Sequence, residues 1–578
     1  MRYRRRVRHA RTAFVLGGLC AAALPIAFGL ERGDGIDAAC DEAVVRDVGR
    51  AYTGALHGLD ALLGAPLGGR AHWASLACAA GLAVVAYVLA RRLLRASAHG
   101  GFGVALAIVA AALATLTFPA QREAALVGGS VLGALLVLSP VVLASEGASA
   151  RWIAAALGLA ATYDAPTGAA AALGCAALAM AAGKKPAWRA APFALVGLVP
   201  IAWMLFRRAA APDAALDVSM VSGWLGEGAR SVPRDAALHV ARGELGIVAL
   251  ATAAGGALVA LRSRVTRPLG AALACVAVVG VAASALGAPA GPARFGGALL
   301  AGLAAVAVLA AGGMGALVSF VAAAHIPFAR ASAAMIVLLE LAVPARVADD
   351  ASLAMSKLPA RATHRWNARF FGDLPRDAVV FLPSTRLVLR SRAAAATGEL
   401  RPDVSVLATS GPSARATGRI VAREPLLAPI VRDLALYGAP EELSLSELAG
   451  ARPLFVAFDA RWDRRFARHL LPEGAFDRYL VEPRGASERA RAFAQSPLDG
   501  ATAAAIASDA ALLDATRDVL AARALAAAAA GEREYADAAT AELRRLAPAD
   551  RLGVELERRV ASMHGALDVT ALARRSRD

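Results

Sequence analysis

The sequence predicts an α-helical polytopic membrane protein, followed by a small α/β extracytoplasmic domain and a C-terminal helical hairpin. Two observations lead to this fold class. Of the 578 residues, 58% are hydrophobic and only 19% are charged, whereas soluble proteins hold about 45–50% apolar and about 25% charged residues. The long apolar runs stop near Ala345, and short strand-like runs follow them. We therefore expect a membrane region at 1–345, an α/β domain at 346–497 and a helical region at 498–578.

The apolar runs give the expected number of spans. A helix crosses the hydrocarbon core with about 20 mainly apolar residues. Runs near this length lie at 12–30, 71–90, 102–118, 125–144, 152–163, 167–183, 190–206, 244–261, 269–287, 295–320 and 329–343. We predict about eleven spans from them. The boundaries within 145–185 and 295–345 stay open, and Asp164 and Pro166 interrupt the first of these regions.

Basic residues set the expected orientation of the spans. Six arginines lie between Met1 and Arg11, and basic flanks stay in the cytoplasm. The apolar run that follows is long and has no clear small-x-small cleavage site, so we expect an uncleaved first helix rather than a signal peptide. Alternation from there places most bases inside, nearly all acids outside, and residues 346–578 on the outer face. The expected location is a bacterial inner membrane, with the C-terminal domain in the periplasm.

The charge and the cysteines exclude several other classes of function. The net charge is +16 and the pI is about 10.6, but the excess belongs mainly to the membrane half, where the distribution of bases across the membrane explains it. We therefore predict no nucleic-acid partner. Four of the five cysteines lie in apolar runs, and the chain has no Cys-x-x-Cys and no Cys/His pairing. We predict no disulfide framework, no metal and no cofactor.

The first external loop carries the densest group of acids. Asp41 and Glu42 begin a stretch whose apolar residues recur at helical spacing, which predicts an amphipathic helix in the membrane interface. A helix N-terminus favours carboxylates, so a solvated loop with a helix cap explains these acids without any chemistry. The functional alternative is a general base held just above the bilayer, because a carboxylate can take a proton from an attacking hydroxyl.

Four motifs resemble those of the C-type glycosyltransferase superfamily (GT-C), and within it the bacterial family of unknown function related to protein O-mannosyltransferases. They are Asp41-Glu42, His57-Gly58, the stretch from Phe118 to Glu123, and Arg401-Pro402-Asp403-Val404. The resemblance covers most of residues 12–495, and only the last motif is intact. His57-Gly58 lacks the family's two prolines, and the tyrosine after Glu123 is missing. Tyr163-Asp164 stands in place of Asn-His, and Pro383-Ser384-Thr385 in place of Ser-Gly-Asp.

The resemblance implies that a sugar moves from a polyprenyl-phosphate donor to an unknown envelope acceptor at the outer face of the bilayer. It implies Asp41 as the base, with Glu42 beside it. The substrate-binding residues that it implies are His57, Glu123, Asp164, Arg122, Arg207 and Arg208, with the arginines placed at phosphate because guanidinium matches phosphate geometry. Arg207 and Arg208 equally fit a helix end whose side chains snorkel to the interface, and His57 fits an ordinary interfacial residue.

The second half shows the pattern of a small α/β layer. Apolar runs of strand type lie at 378–383, 404–409 and 453–458, with helical stretches between them. This alternation predicts a parallel sheet. The chain has no G-x-G-x-x-G, no P-loop and no G-x-S-x-G, and Ser384 has no evident histidine or aspartate partner. We therefore predict neither a nucleotide site nor hydrolase chemistry.

The last region is predicted to be helical. Gly531, Tyr535 and Ala538, followed by Pro548, resemble one tetratricopeptide unit. A lone unit cannot bury its own apolar face. We therefore expect it to pack on the α/β domain rather than to form a peptide-binding array.

Two functions stay open at this point. The first is a membrane glycosyltransferase, which the clustered outer acids favour. The second is a catalytically inactive protein of the same fold that acts as a binding or assembly component in cell-envelope glycan or lipid biogenesis, and the missing motif residues favour it. A secondary transporter is less favoured, because it needs charged residues near the bilayer midplane. Asp164 and Glu340 are the two candidates for such residues within the predicted spans. Glu340 is expected near the outer end of the last span, where its carboxylate can reach the interface.

Overall fold

The computed structural model describes residues 2–32, 73–95, 101–124, 130–163, 165–184, 188–199, 202, 236–286, 296–324, 328–356, 362–396, 399–409, 420–496, 503, 506, 510–548 and 550–575. Six of the eight predicted site residues, namely Asp41, Glu42, His57, Asp164, Arg207 and Arg208, lie outside these ranges. The chain forms two compact units. One contains the described residues up to Ser356, and the other contains those from Ala362 onward.

The first unit is built of helices. They are α1 (Arg2–Arg32), α2 (Trp73–Leu94), α3 (Gly101–Leu116), α4 (Phe118–Ala124), α5 (Val131–Ser145), α6 (Ala150–Tyr163), α7 (Ala165–Ala181), a 3₁₀ helix (Trp188–Gly197), α8 (Ala236–Arg262), α9 (Arg267–Leu286), α10 (Gly297–Ala323) and α11 (Ala329–Ser356). Every apolar run of the sequence overlaps one of them. In the described part of the chain, four helices are long and apolar enough to cross a membrane, or five if α3 and α4 form one bent span. The protein is a multi-pass membrane protein, and the count of eleven spans stays a prediction.

Close helix contacts explain why this unit is so rich in alanine and glycine. Helix α10 packs against α8, α9, α3, α5 and α2, and nearly all of its first half is buried. A Cβ atom at Gly256 would overlap the carbonyl oxygen of Leu309, and one at Gly313 would overlap a carbonyl of α8. In apolar lipid the hydrophobic effect does not drive helices together. Van der Waals contact between closely packed backbones therefore contributes much of the association, and small residues allow that contact.

The second unit contains a five-stranded sheet. Its strands are β1 (Val379–Leu382), β2 (Ser405–Ala408), β3 (Leu454–Val456), β4 (Leu470–Glu473) and β5 (Phe476–Tyr479), in the order β2-β1-β3-β5-β4. Strand β1 pairs in parallel with β2 and β3, while β5 is antiparallel to β3 and β4. The predicted small sheet is confirmed. The β4–β5 hairpin was not predicted, because its polar, proline-containing strands lack an apolar run.

Helices cover the sheet and complete its core. They are α12 (Ala362–Asn367), which continues into a π-helical turn (Ala368–Gly372), α13 (Thr385–Ala396), α14 (Ala428–Tyr437), α15 (Glu442–Ala451), α16 (Ala486–Ala494), α17 (Ala510–Ala530), α18 (Arg533–Leu546), α19 (Arg551–Ala561) and α20 (Val569–Arg575). Helix α17 shares one hydrophobic core with the sheet, and Trp366 Nε1 donates a hydrogen bond of 2.8 Å to Thr516 Oγ1 on this helix. The tetratricopeptide likeness of the last helices stays a prediction.

Candidate functional site

The break between α3 and α4 organises the described part of the predicted site. The two helices meet at an angle of 65°. Pro119 causes the break, because proline has no N–H to donate to the preceding turn. The end of α3 is closed by Gln121, whose Nε2 donates to the carbonyl of Leu116 at 2.6 Å and whose backbone N–H donates to Thr117 at 2.9 Å. The chain thereby turns sharply inside the membrane unit while its backbone stays paired.

Glu123 is fully buried near the end of α4. Its Oε2 accepts a hydrogen bond of 3.1 Å from the backbone N–H of Ser130, the residue that precedes α5. Its Oε1 lies 3.8 Å from Nη1 of Arg122. A helix N-terminus and a guanidinium both stabilise a negative charge. The structure thus gives Glu123 a role in joining α4 to α5, and the predicted contact with substrate stays a prediction.

Arg122 lies beside this carboxylate and is mostly buried, with 13% of its side chain exposed. Its Nη1 makes no hydrogen bond to any described residue. Two hydroxyl groups at the ends of α4 share this condition: Thr117 Oγ1 and Ser130 Oγ are fully buried and have no hydrogen-bond partner in the described chain. Such groups are costly when unpaired. Arg122 lies on α4, Thr117 directly precedes this seven-residue helix, and Ser130 is joined to its end through Glu123.

Glu244 contacts the α3–α4 break, and no motif in the sequence singled it out. It is the second residue of the candidate span Gly243–Arg262, and its Oε2 accepts a hydrogen bond of 3.0 Å from the backbone N–H of Phe118, the first residue of α4. The signal available in the sequence is an acid at the first position of the apolar run 244–261. Because an acid at the end of a span can reach the interface, this position alone does not distinguish a site residue from an ordinary helix end.

Glu340 lies elsewhere than predicted. It is near the middle of the candidate span Ala329–Leu353 rather than near an outer end. The error arose because the apolar run ends at Val343, whereas α11 continues through Pro344 to Ser356. No hydrogen bond or ion pair of its carboxylate occurs within the described residues. An intramembrane acid is costly. Helix α11 packs against α3 and α4, but among the described residues no hydrogen bond or ion pair joins the Glu340 carboxylate to the α3–α4 break.

The second unit contradicts the expectation that Ser384 has no aspartate partner. Ser384 Oγ donates a hydrogen bond of 2.5 Å to Asp518 Oδ2, although no local pattern indicates an aspartate partner. These residues are 134 positions apart, so only the fold brings them together. Of the histidines, His469 uses Nδ1 to bond with the carbonyl of Leu480. Because a serine nucleophile needs an adjacent base that is held by a third group, a Ser–Asp pair does not make a hydrolase site.

Metal ligands do not cluster in the described residues, where no group of three or more His, Cys, Asp or Glu side chains could hold an ion. The expectation that no metal or cofactor is bound stays a prediction. The described site is therefore a buried turn with one compensated carboxylate, one arginine with an unused donor and two unused hydroxyl groups.

Comparisons with known proteins give a structural likeness only. No protein-family model and no curated protein matches the chain. Among solved structures, ArnT from Cupriavidus metallidurans bound to undecaprenyl phosphate is similar, with 15% identity, a TM-score of 0.46, and coverage of 76% of this chain and 92% of ArnT. ArnT from the same organism in the apo state gives 15% identity, a TM-score of 0.47, and coverage of 77% and 93%. At these values the similarity is one of fold at most and assigns no chemistry to this chain.

Proposed function

We propose that this chain is a membrane glycosyltransferase that moves a sugar from a polyprenyl-phosphate-linked donor to an extracytoplasmic acceptor. The observation that supports the proposal most is the unused donor set around α4, formed by Arg122 Nη1, Thr117 Oγ1 and Ser130 Oγ. A ligand for this set must carry acceptor oxygens and must reach a site inside a membrane unit. A phosphate on a long apolar chain meets both conditions.

The reaction needs a base and a cation. In the proposed step, the acceptor hydroxyl attacks the anomeric carbon and its proton passes to Asp41, with Glu42 beside it. The new carbon–oxygen bond forms as the bond from the sugar to the phosphate oxygen breaks, and polyprenyl phosphate leaves with both electrons. Negative charge therefore grows on the phosphate, where Arg122 would stabilise it in a site of low dielectric constant. His57, Asp164, Arg207 and Arg208 are proposed as further contacts to substrate.

Binding of undecaprenyl phosphate to purified protein, measured by native mass spectrometry, tests the phosphate site. We expect Arg122→Gln to weaken binding by about 10-fold or more, because hydrogen bonds to charged groups contribute about 1.5–3 kcal/mol. Arg122→Lys should recover only part of the affinity, since an ammonium lacks the planar fork. Arg95→Gln, at an exposed arginine just past α2, is the matched control. Equal binding by wild type and Arg122→Gln would contradict the site.

A sugar-transfer assay distinguishes an active glycosyltransferase from a catalytically inactive protein of the same fold. Asp41→Asn keeps the size of the side chain but cannot accept a proton, so we expect the rate to fall by about 10²–10⁴-fold. Asp47→Asn, further along the same predicted helix, should be nearly silent. The measurement is transfer of radiolabelled sugar from polyprenyl-phosphate donors to envelope acceptors in membranes. Wild-type protein that binds the lipid phosphate but transfers nothing across several donors would instead support a binding or assembly role.

A further inference from the structure

Two carboxylates hold the two ends of α4. Glu244 Oε2 accepts the N–H of Phe118 at 3.0 Å, and Glu123 Oε2 accepts the N–H of Ser130 at 3.1 Å. The first bond spans 126 positions of sequence. It therefore joins the break between α3 and α4 to a helix that begins far along the chain. Arg122 lies between these two anchors.

Helix α4 needs such anchors because of its length and position. It has seven residues, and an isolated helix shorter than about 12–15 residues is marginal even with good helix formers. The amide of its first residue has no partner inside the helix. A carboxylate is a strong acceptor for an amide N–H, because a hydrogen bond to a charged group is roughly twice as strong as a neutral one. Glu244 therefore restrains the direction in which α4 leaves the break.

The backbone of α8 places Glu244 where it can do this. Gly246 is the non-helical residue within α8, with φ 76° and ψ 163°, a conformation that residues with a Cβ rarely adopt. No atom lies within 4 Å of where its Cβ would be, so backbone conformation rather than space requires the glycine. The kink separates the turn that holds Glu244 from the straight apolar helix that follows.

We propose that Glu244 is a positioning residue that sets the direction of α4 and thereby holds Arg122 toward a lipid-linked phosphate. The inference rests on the proposed function, since it assumes that Arg122 meets a phosphate. Glu244 itself does not contact that phosphate, because two anions in a site of low dielectric constant repel each other and its Oε2 is occupied by the Phe118 amide.

The experiment is a mutant series at Glu244, with binding of undecaprenyl phosphate to full-length protein measured by native mass spectrometry. Glu244→Ala removes the acceptor and should weaken binding by about 10-fold. Glu244→Gln keeps a side-chain oxygen at the same reach and should stay within about 3-fold of wild type. Glu244→Asp shortens the side chain and should fall between them. Thr252→Val is the matched control, because among the described residues the Thr252 hydroxyl bonds only to carbonyls of its own helix.

A double-mutant cycle separates positioning from a merely structural role. If Glu244 acts through Arg122, then Glu244→Ala combined with Arg122→Gln should bind no more weakly than Arg122→Gln alone. If the two substitutions reduce the affinity additively, Glu244 does not act through Arg122. That result, or a Glu244→Gln variant that binds as weakly as Glu244→Ala, would overturn the inference without contradicting the phosphate site. Wild type that does not bind the lipid would remove the proposed function and this inference with it. If Glu244→Ala does not fold, the affinities of the other proteins still test the inference. Affinity should then decrease in the order wild type, Glu244→Gln, Glu244→Asp, and any other order would overturn the inference.

Discussion

At the scale of single residues, Asp403 has the clearest structural role among the motif residues. Its Oδ2 accepts the backbone N–H of Asp377 at 2.8 Å, and its carboxylate is bound by Arg401 through two hydrogen bonds of 3.0 and 2.8 Å. Asp377 has φ 55°, a left-handed conformation that costs about 1–2 kcal/mol outside glycine. The intact Arg-Pro-Asp-Val motif therefore stabilises the turn that leads into β1.

These contacts predict a pH-dependent stability. The Asp377 N–H, and then Arg401, lower the pKa of Asp403 below its usual 3.8. Because the folded-state pKa lies below the unfolded-state value, the stabilisation is full above the unfolded value and is lost as pH falls through the folded one. Asp403→Asn should therefore lower Tm at pH 7, and its gap to wild type should close as pH falls below about 4.

Thermal unfolding of the full-length protein, followed by intrinsic fluorescence between pH 7 and pH 3.5, measures this gap. Asp537→Asn is the control, because Asp537 is half exposed and lies 3.9 Å from Arg533 in a surface pair, which contributes little. A gap for Asp403→Asn that does not change with pH would show that the carboxylate's charge is not what stabilises the turn.

At the scale of elements, a buried ion pair joins α17 to the β4–β5 hairpin. Arg523 Nε donates to Asp477 Oδ1 at 2.9 Å, and Arg523 Nη2 donates to the carbonyl of Phe476 at 3.1 Å. Both charged side chains are at most 4% exposed. A second buried pair, Arg489 with Glu532, links α16 to the start of α18. The C-terminal helices and the sheet are therefore fixed to one another by charge as well as by apolar contact.

Removing one partner of the first pair should destabilise the second unit strongly. Arg523→Met leaves Asp477 buried without its counter-charge, which typically costs about 3–5 kcal/mol. Arg523→Met combined with Asp477→Leu should recover much of the loss, because a well-packed apolar pair is often as stable as an ion pair. The measurement is Tm of the full-length protein in detergent. Arg558→Met, which breaks an exposed pair with Glu555, should change little. If the Arg523→Met/Asp477→Leu variant has a Tm as low as that of Arg523→Met, the loss of stability comes from altered packing and not from an unpaired buried charge.

Several elements were predictable because their signal is local. Strands β1 and β3 are fully buried and β2 is partly buried, and buried parallel strands have sequences that are continuous apolar runs. The β4–β5 hairpin has no such run, since Pro472 and Asp477 interrupt it. In the membrane region, the runs predicted helices but gave the wrong place for Glu340, because hydropathy marks where apolar residues end and not where a helix ends.

At the scale of the whole molecule, the distribution of charge predicts the orientation in the membrane. Cytoplasmic flanks carry the excess of Lys and Arg, and this rule predicts that the N-terminus lies inside and the second unit outside. In a bacterial host, alkaline phosphatase fused after Leu374 should therefore be active, because it folds only outside the cytoplasm. The matched fusion after Arg95, at the end of α2, should be inactive. Activity in the reverse order would overturn the orientation and, with it, every site assignment at the outer face.

The sequence by itself determined that the chain is a multi-pass membrane protein with a small α/β domain, because hydropathy and strand-type runs depend on residues near one another in the chain. It also singled out Arg122 and Glu123, since their motif is short and contiguous. Only the tertiary structure decided how these residues are held: Glu244 and Phe118 are 126 positions apart, and Ser384 and Asp518 are 134 apart. A hydrogen bond depends on distance in space, and no local pattern records a distance that folding creates.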